Sequence, residues 1–284
     1  MSMLGWIIII TAVAGVGGTG LGGVVGALFN KDSSKIVSLL LSFAGGVMLA
    51  VVCFDLITDA IAPAESGAAN LFIVIAAIIA GYIVVSLLNL AIDRAANHEV
   101  KHIDPDHPRT ADDLDELIHS DHLEEHRRRG GSYELFIGGI VMACAIALHN
   151  LPEGMVIGAA YAGSETSVLA FGGALAIAVV IGLHNVPEGM AISVPLISGG
   201  MRPGRAILVT AASGAPTIIG AVIGYYVGAA SRLGLSLSLG FASGAMLYVV
   251  FGELLPESIL MWRSKLPAVA VLGGIIVGLV IIFI

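Results

Sequence analysis

Two heptapeptides carry the densest chemistry in the chain: His149-Asn150-Leu151-Pro152-Glu153-Gly154-Met155 and His184-Asn185-Val186-Pro187-Glu188-Gly189-Met190. Six of their seven positions are identical at an offset of 35 residues. In each, histidine and glutamate stand four apart, which places them on one face of a helix. Facing helices would converge two imidazoles and two carboxylates, a donor set suited to zinc and, next to it, to iron, manganese, cobalt or cadmium dications. Asn150 and Asn185 add neutral oxygens beside them. The proline removes a backbone donor and frees a carbonyl one turn earlier. The glycine after each glutamate lets a neighbouring helix come close. A buried polar pair gluing two helices is the plainer explanation of one such motif; two near-identical copies argue for a binding function.

The elements that must position these residues are membrane helices. Of 284 residues, 57% are hydrophobic and only 12% charged, with a mean hydropathy of +0.97. A soluble domain carries about 25% charged residues, and disorder requires low hydrophobicity with high net charge. Both classes are excluded, and a net charge of −8 argues against nucleic acid as a partner. Cys53 and Cys144 lie in apolar runs and imply no disulfide framework. A membrane-crossing helix needs about 20 apolar residues. Eight segments meet that length: 4–29, 35–58, 70–93, 133–161, 167–194, 204–229, 235–261 and 267–284. The first lacks a basic leader and a cleavage-site pattern, so it reads as a retained helix. Each motif then falls near mid-membrane. An unpaired charge there costs about 2.5–3.5 kcal/mol on the insertion scale and is functional by default.

Twelve of the 13 basic residues fall in loops 1–2, 3–4, 5–6 and 7–8, leaving Arg232 alone on the other side. These loops therefore face the cytoplasm and both termini face outward. Loop 94–132 differs from the rest. It holds ten acids and six of the eight histidines: His98, His102, His107, His119, His122 and His126. It reads as a solvated linker or as a weak metal-binding or sensing segment.

A second repeat joins the two ends of the chain. AGGVMLAVVCFDLITDA (44–60) aligns with ASGAMLYVVFGELLPES (242–258) at an offset of 198 residues. Met48 matches Met246, Asp55 matches Glu253, and Asp59 matches Glu257. The two segments lie in the second and seventh spans, which cross in opposite directions, the signature of an inverted repeat in a secondary transporter. The fold expected is an all-α membrane protein of eight helices, with helices 1–3 repeated as 6–8 around a central 4/5 pair. In chain order this gives residues 1–93 (helices 1–3), 94–132 (cytoplasmic loop), 133–194 (helices 4–5 with the metal site) and 195–284 (helices 6–8). Asp55 and Asp59 would gather cations at the outer mouth. Glu253 and Glu257, with Asp93, would pass them inward, and Met48 would offer a soft sulfur.

The eight spans, the outward termini, the His-rich 3–4 loop and the two HN-x-PEG motifs together resemble the ZIP (zinc/iron-regulated transporter-like) family, most of all its bacterial GufA-like members. The resemblance implies a secondary transporter of the bacterial inner membrane, moving Zn²⁺ or a similar dication into the cytoplasm by alternating access. The metal is substrate rather than resident cofactor. His149, Glu153, His184 and Glu188 would be its ligands, with Asn150 and Asn185 joining them. The resemblance also implies a homodimer, and a bundle of helices 1, 4, 5 and 6 moving against 2, 3, 7 and 8. One departure matters. Some members carry a helix 6 glutamate that serves a second metal, but Ser213-Gly214-Ala215-Pro216-Thr217 holds no acid. Some also carry aspartate where Asn185 stands, so a single metal site is expected.

The rival from another class is an intramembrane metal-dependent hydrolase. Metalloproteases place a glutamate base next to the first histidine, in H-E-x-x-H. Asparagine occupies that position in both motifs. A metal sensor that does not transport would lean on the 94–132 loop and leave the mid-membrane ligands unexplained.

Overall fold

The computed structural model describes residues 2–28, 34–65, 70–96, 132–163, 169 and 173–283. The 97–131 segment, with all six loop histidines, lies outside the described residues. Among the described residues, eight helices are long and apolar enough to cross a membrane. They are α1 (Met3–Leu28), α2 (34–65), α3 (Leu71–Ala96), α4 (Ser132–Gly163), α5 (Ala174–Ser198), α6 (Pro203–Ala230), α7 (232–261) and α8 (Leu266–Phe283).

Local chemistry sets several ends. Ser231 caps α7 by accepting from the Gly234 amide at 2.9 Å. The fifth span differs most from the expected 167–194: α5 begins at Ala174 and ends at Ser198. Its start follows Gly173, whose φ of 50° lies in the left-handed region. Its end precedes Gly200 at φ 95°. Hydropathy alone reads the apolar run before Gly173 as helix, and misses these two backbone reversals.

Three helices are irregular at mid-span. α1 has a π-helical turn at Val13–Gly17, α2 has one at Val52–Leu56, and α7 has one at Val249–Leu254. α6 is interrupted between Ser213 and Pro216, where Gly214 and Ala215 form a turn. The inverted repeat accounts for their placement. Adding 198 moves the α2 π turn onto that of α7, and moves Gly18, just after the α1 π turn, onto Pro216, where α6 resumes.

Close helix contacts obey the same arithmetic. A Cβ on Gly189 in α5 would strike the Thr19 carbonyl of α1, and one on Gly154 in α4 would strike the Thr217 carbonyl of α6. Gly22 faces the Val186 carbonyl as Gly220 faces that of Leu151. The outer pairs correspond in kind, with Gly81 of α3 meeting the Phe241 carbonyl of α7 and Gly274 of α8 meeting the Phe43 carbonyl of α2; the phenylalanines are 198 residues apart and the glycines 193. Glycine is required at these points because only a missing side chain lets two backbones come this near. The repeat thus relates α1 to α6, α2 to α7, α3 to α8 and α4 to α5.

Burial follows this plan. The best apolar windows of α4 and α5 are 67% and 72% buried, against 22% for α3 and 17% for α8. α4 and α5 therefore form the centre, and α3 and α8 turn large apolar side chains such as Phe72, Ile79, Leu272 and Ile276 outward. Buried serines add polar fastening on the flank. Ser38 donates to the Ser258 carbonyl and Ser42 shares a hydrogen bond with the Ser258 hydroxyl, both at 2.6 Å, tying α2 to α7.

Candidate metal centre

Both motifs sit on uninterrupted helix, with Pro152 inside α4 and Pro187 inside α5. Proline at these points leaves the carbonyl four residues back without its helical partner. His149, Asn150, Glu153, His184, Asn185 and Glu188 are all buried, none more than 4% exposed.

Three of the four principal residues converge. Ligand atoms of Glu153, His184 and Glu188 lie within 4.8 Å of one another. His184 Nε2 is 2.9 Å from Glu188 Oε1, on the same helix face, and 3.6 Å from Glu153 Oε1 across the α4–α5 interface. Among the described residues, both carboxylate oxygens of Glu153, with Glu188 Oε2, His184 Nδ1 and Asn185 Oδ1, are buried without a close, well-aligned hydrogen-bond partner. Buried polar atoms are hydrogen-bonded almost everywhere in proteins. Two carboxylates facing each other in a membrane are costly unless a cation lies between them. Zinc bonds of about 2.0–2.2 Å to such donors need only small side-chain adjustments within this cluster.

His149 stands apart from that cluster. Its Nδ1 bonds the Ala145 carbonyl at 2.6 Å, and its Nε2 forms an ion pair with Glu253 of α7. The expected four-residue cluster is therefore three residues plus an outlying histidine. Glu253, read from sequence as a residue of the inner path, reaches a motif histidine directly. The alignment of Glu253 with Asp55 was the available signal for a special role, but it gave no partner.

The asparagines divide in the same way. Asn150 Nδ2 donates to Ile146 O at 3.0 Å and Ser213 O at 3.1 Å, and its Oδ1 accepts from Thr217 Oγ1 at 3.1 Å. Its amide joins α4 to the broken turn of α6 through both its nitrogen and its oxygen. Asn185 Nδ2 donates to the Ala14 carbonyl in the α1 π turn at 3.2 Å, while its Oδ1 remains open beside the cluster. Thr217 and Ser213 entered the sequence reading only as positions lacking an acid; the structure shows them holding Asn150.

Among the described side chains, Asp55, Asp59 and Met48 are not part of the three-residue group. Asp55 is in the α2 π turn with Oδ2 buried and unbonded, and Asp59 is exposed. Met48 and its repeat partner Met246 are each 1% exposed in the apolar core. Asp93 lies near the end of α3 and Glu257 near the end of α7.

A family model described as ZIP Zinc transporter matches residues 3–282. The chain belongs to the ZIP family. It is 30% identical over 250 residues to the zinc transporter ZIPB of Bordetella bronchiseptica, covering 88% of this chain and 72% of that one. The zinc transporter ZupT of Clostridium perfringens is 28% identical over 276 residues, covering 95% and 92%. The zinc transporter GufA of Myxococcus xanthus is 33% identical over 147 residues, covering 51% and 54%. ZIP membership makes the chain a multi-pass transporter and leaves the hydrolase reading without support.

Proposed function

We propose that this ZIP protein carries divalent transition-metal cations, Zn²⁺ foremost and Fe²⁺, Mn²⁺, Co²⁺ or Cd²⁺ beside it, into the cytoplasm through one mid-membrane centre. The observation that carries the reading is Glu153: both its oxygens are buried and unbonded, facing His184 and Glu188. Asn185 Oδ1 is placed to join them, and the Asn150–Thr217 hydrogen bond fills with neutral groups the place where a second metal would need charge. Asp55 and Asp59 collect the ion outside, and Glu253, Glu257 and Asp93 receive it inside. Met48 serves as a soft contact along the way. The centre occupies the 133–194 unit between the helix units 1–93 and 195–284, with loop 94–132 in the cytoplasm. The protein works as a homodimer in the bacterial inner membrane, with both termini outside.

Uptake of radioactive zinc into proteoliposomes containing only this protein tests the reading. Glu153→Ala is expected to abolish uptake with undiminished protein in the membrane. Normal uptake by that variant rejects the centre. Imidazole and carboxylate bind metal only when deprotonated. Affinity should therefore fall as pH is lowered and recover on return.

A further inference from the structure

The two motifs are related by the repeat, yet their histidines occupy different positions. His149 has its Nδ1 on the carbonyl four residues back and its Nε2 on Glu253. His184 has its Nε2 on Glu188, while its Nδ1 has no partner. The repeat equivalents of His149's two partners are Val180, 35 residues after Ala145, and Asp55, 198 before Glu253. His184 uses neither. Asp55 correspondingly has a buried oxygen without a hydrogen bond among the described residues. Asp55 and Glu253 also share an unusual local backbone, each lying within a mid-span π turn, a feature frequent at functional sites.

We propose that this asymmetry is one half of an exchange, in which the opposite-access conformer pairs His184 with Asp55 as His149 pairs with Glu253 here. In that conformer His184 Nδ1 turns to the Val180 carbonyl. His149 leaves Glu253 and takes the place of His184 between Glu153 and Glu188. Each conformer then holds the metal with both glutamates and one histidine, while the other histidine latches a motif helix to a flanking helix. An inverted repeat sets the two latches on opposite sides of the centre, because the equivalent helices α2 and α7 cross in opposite directions. Inverted repeats supply such paired states because each half can adopt the conformation of its counterpart. Asp55 is one methylene shorter than Glu253, so α5 must approach α2 more closely than α4 approaches α7.

The inference takes its metal centre from the proposed function, but the latch is testable without metal or transport. In a background with Cys53 and Cys144 replaced by serine, two pairs are made in the full-length protein: His149→Cys with Glu253→Cys, and His184→Cys with Asp55→Cys. Membranes are treated with a short bifunctional thiol reagent sized for a histidine–carboxylate contact, and links are read by peptide mass spectrometry. Both pairs are expected to link, the second at no less than about a tenth of the first if the two states are comparably populated. Linking of the first pair alone overturns the exchange. If linking succeeds for both while the parent protein moves no zinc, the latch stands and the transport reading falls. Should the paired cysteine variants fail to reach the membrane, uptake decides. Asp55→Asn and Glu253→Gln each bias the equilibrium in opposite directions and slow transport. The double variant should be no slower than the slower single, whereas multiplied losses, the result for independent sites, overturn the proposal.

Discussion

The α4 and α5 motifs differ at one residue in seven, Leu151 against Val186, and yet their side chains do different work. In α5, histidine and glutamate meet each other and the asparagine oxygen is open. In α4, the histidine reaches out to α7 and the asparagine is consumed by α6. The packing around them is shared: equivalent glycines meet equivalent carbonyls on α1 and α6. Sequence and backbone are thus nearly symmetric while the polar contacts are not. The exchange proposed above attributes this difference to conformational state, which is the property an alternating-access protein needs.

The comparison breaks most sharply at the histidines. His184→Ala removes a member of the assembled centre and should weaken equilibrium zinc binding tenfold or more, about 1.4 kcal/mol, measured by competition with a fluorescent chelator. His149→Ala should weaken binding by a smaller factor, yet reduce uptake to background as fully as His184→Ala. Equal binding losses would erase the distinction between them.

Gly154→Ala and Gly189→Ala test the shared packing. Each new methyl meets a backbone carbonyl that has no side chain to move aside, so both should destabilise by about 1–3 kcal/mol, the usual cost of overpacking. Thermal unfolding in detergent checks this, and the two losses should be similar because the sites are equivalent.

The smallest effects separate the asparagines. An interhelical hydrogen bond in a membrane contributes about 0.6 kcal/mol. Asn150→Ala loses two such bonds, to Ser213 and Thr217, and should be the less stable variant with zinc affinity nearly unchanged. Asn185→Ala loses one, to Ala14, and should instead show weaker zinc binding. Thr217→Val, which deletes only the hydroxyl bond to Asn150, should cost least of all.

Much of this molecule is written in local sequence. Apolar runs of membrane length specify eight helices, and the paired motifs mark the centre because charge is so scarce between them. The position of α5 was less legible, since its limits depend on the glycine backbone at Gly173 and Gly200 rather than on hydropathy. The π turns leave no compositional trace; the repeat only shows, afterwards, that they fall at matched positions. Side-chain partners were hidden for a different reason. Asn150 and Asn185 have the same neighbours in sequence, and what distinguishes them is that α6 presents Thr217 and the Ser213 carbonyl, whereas α1 presents only the Ala14 carbonyl. His149 likewise carries no local sign that it turns toward Glu253 instead of Glu188.

The glycine contacts have a mechanical consequence. Backbone-to-backbone approaches join α1 to α5 and α6, and α4 to α5 and α6, in one set; they join α2 to α8 and α3 to α7 in the other. Among the described glycines, three face across the two sets: Gly163 and Gly228 reach the side chain of Leu235, and Gly234 of α7 meets the Val227 carbonyl of α6 beside the short turn that joins those helices. Most of the stiff seams therefore lie inside each set; among the described residues the boundary has one such approach, at the α6–α7 turn, and the His149–Glu253 contact. Such a joint resists separation but offers little resistance to sliding, and a single polar tooth is enough to fix its position.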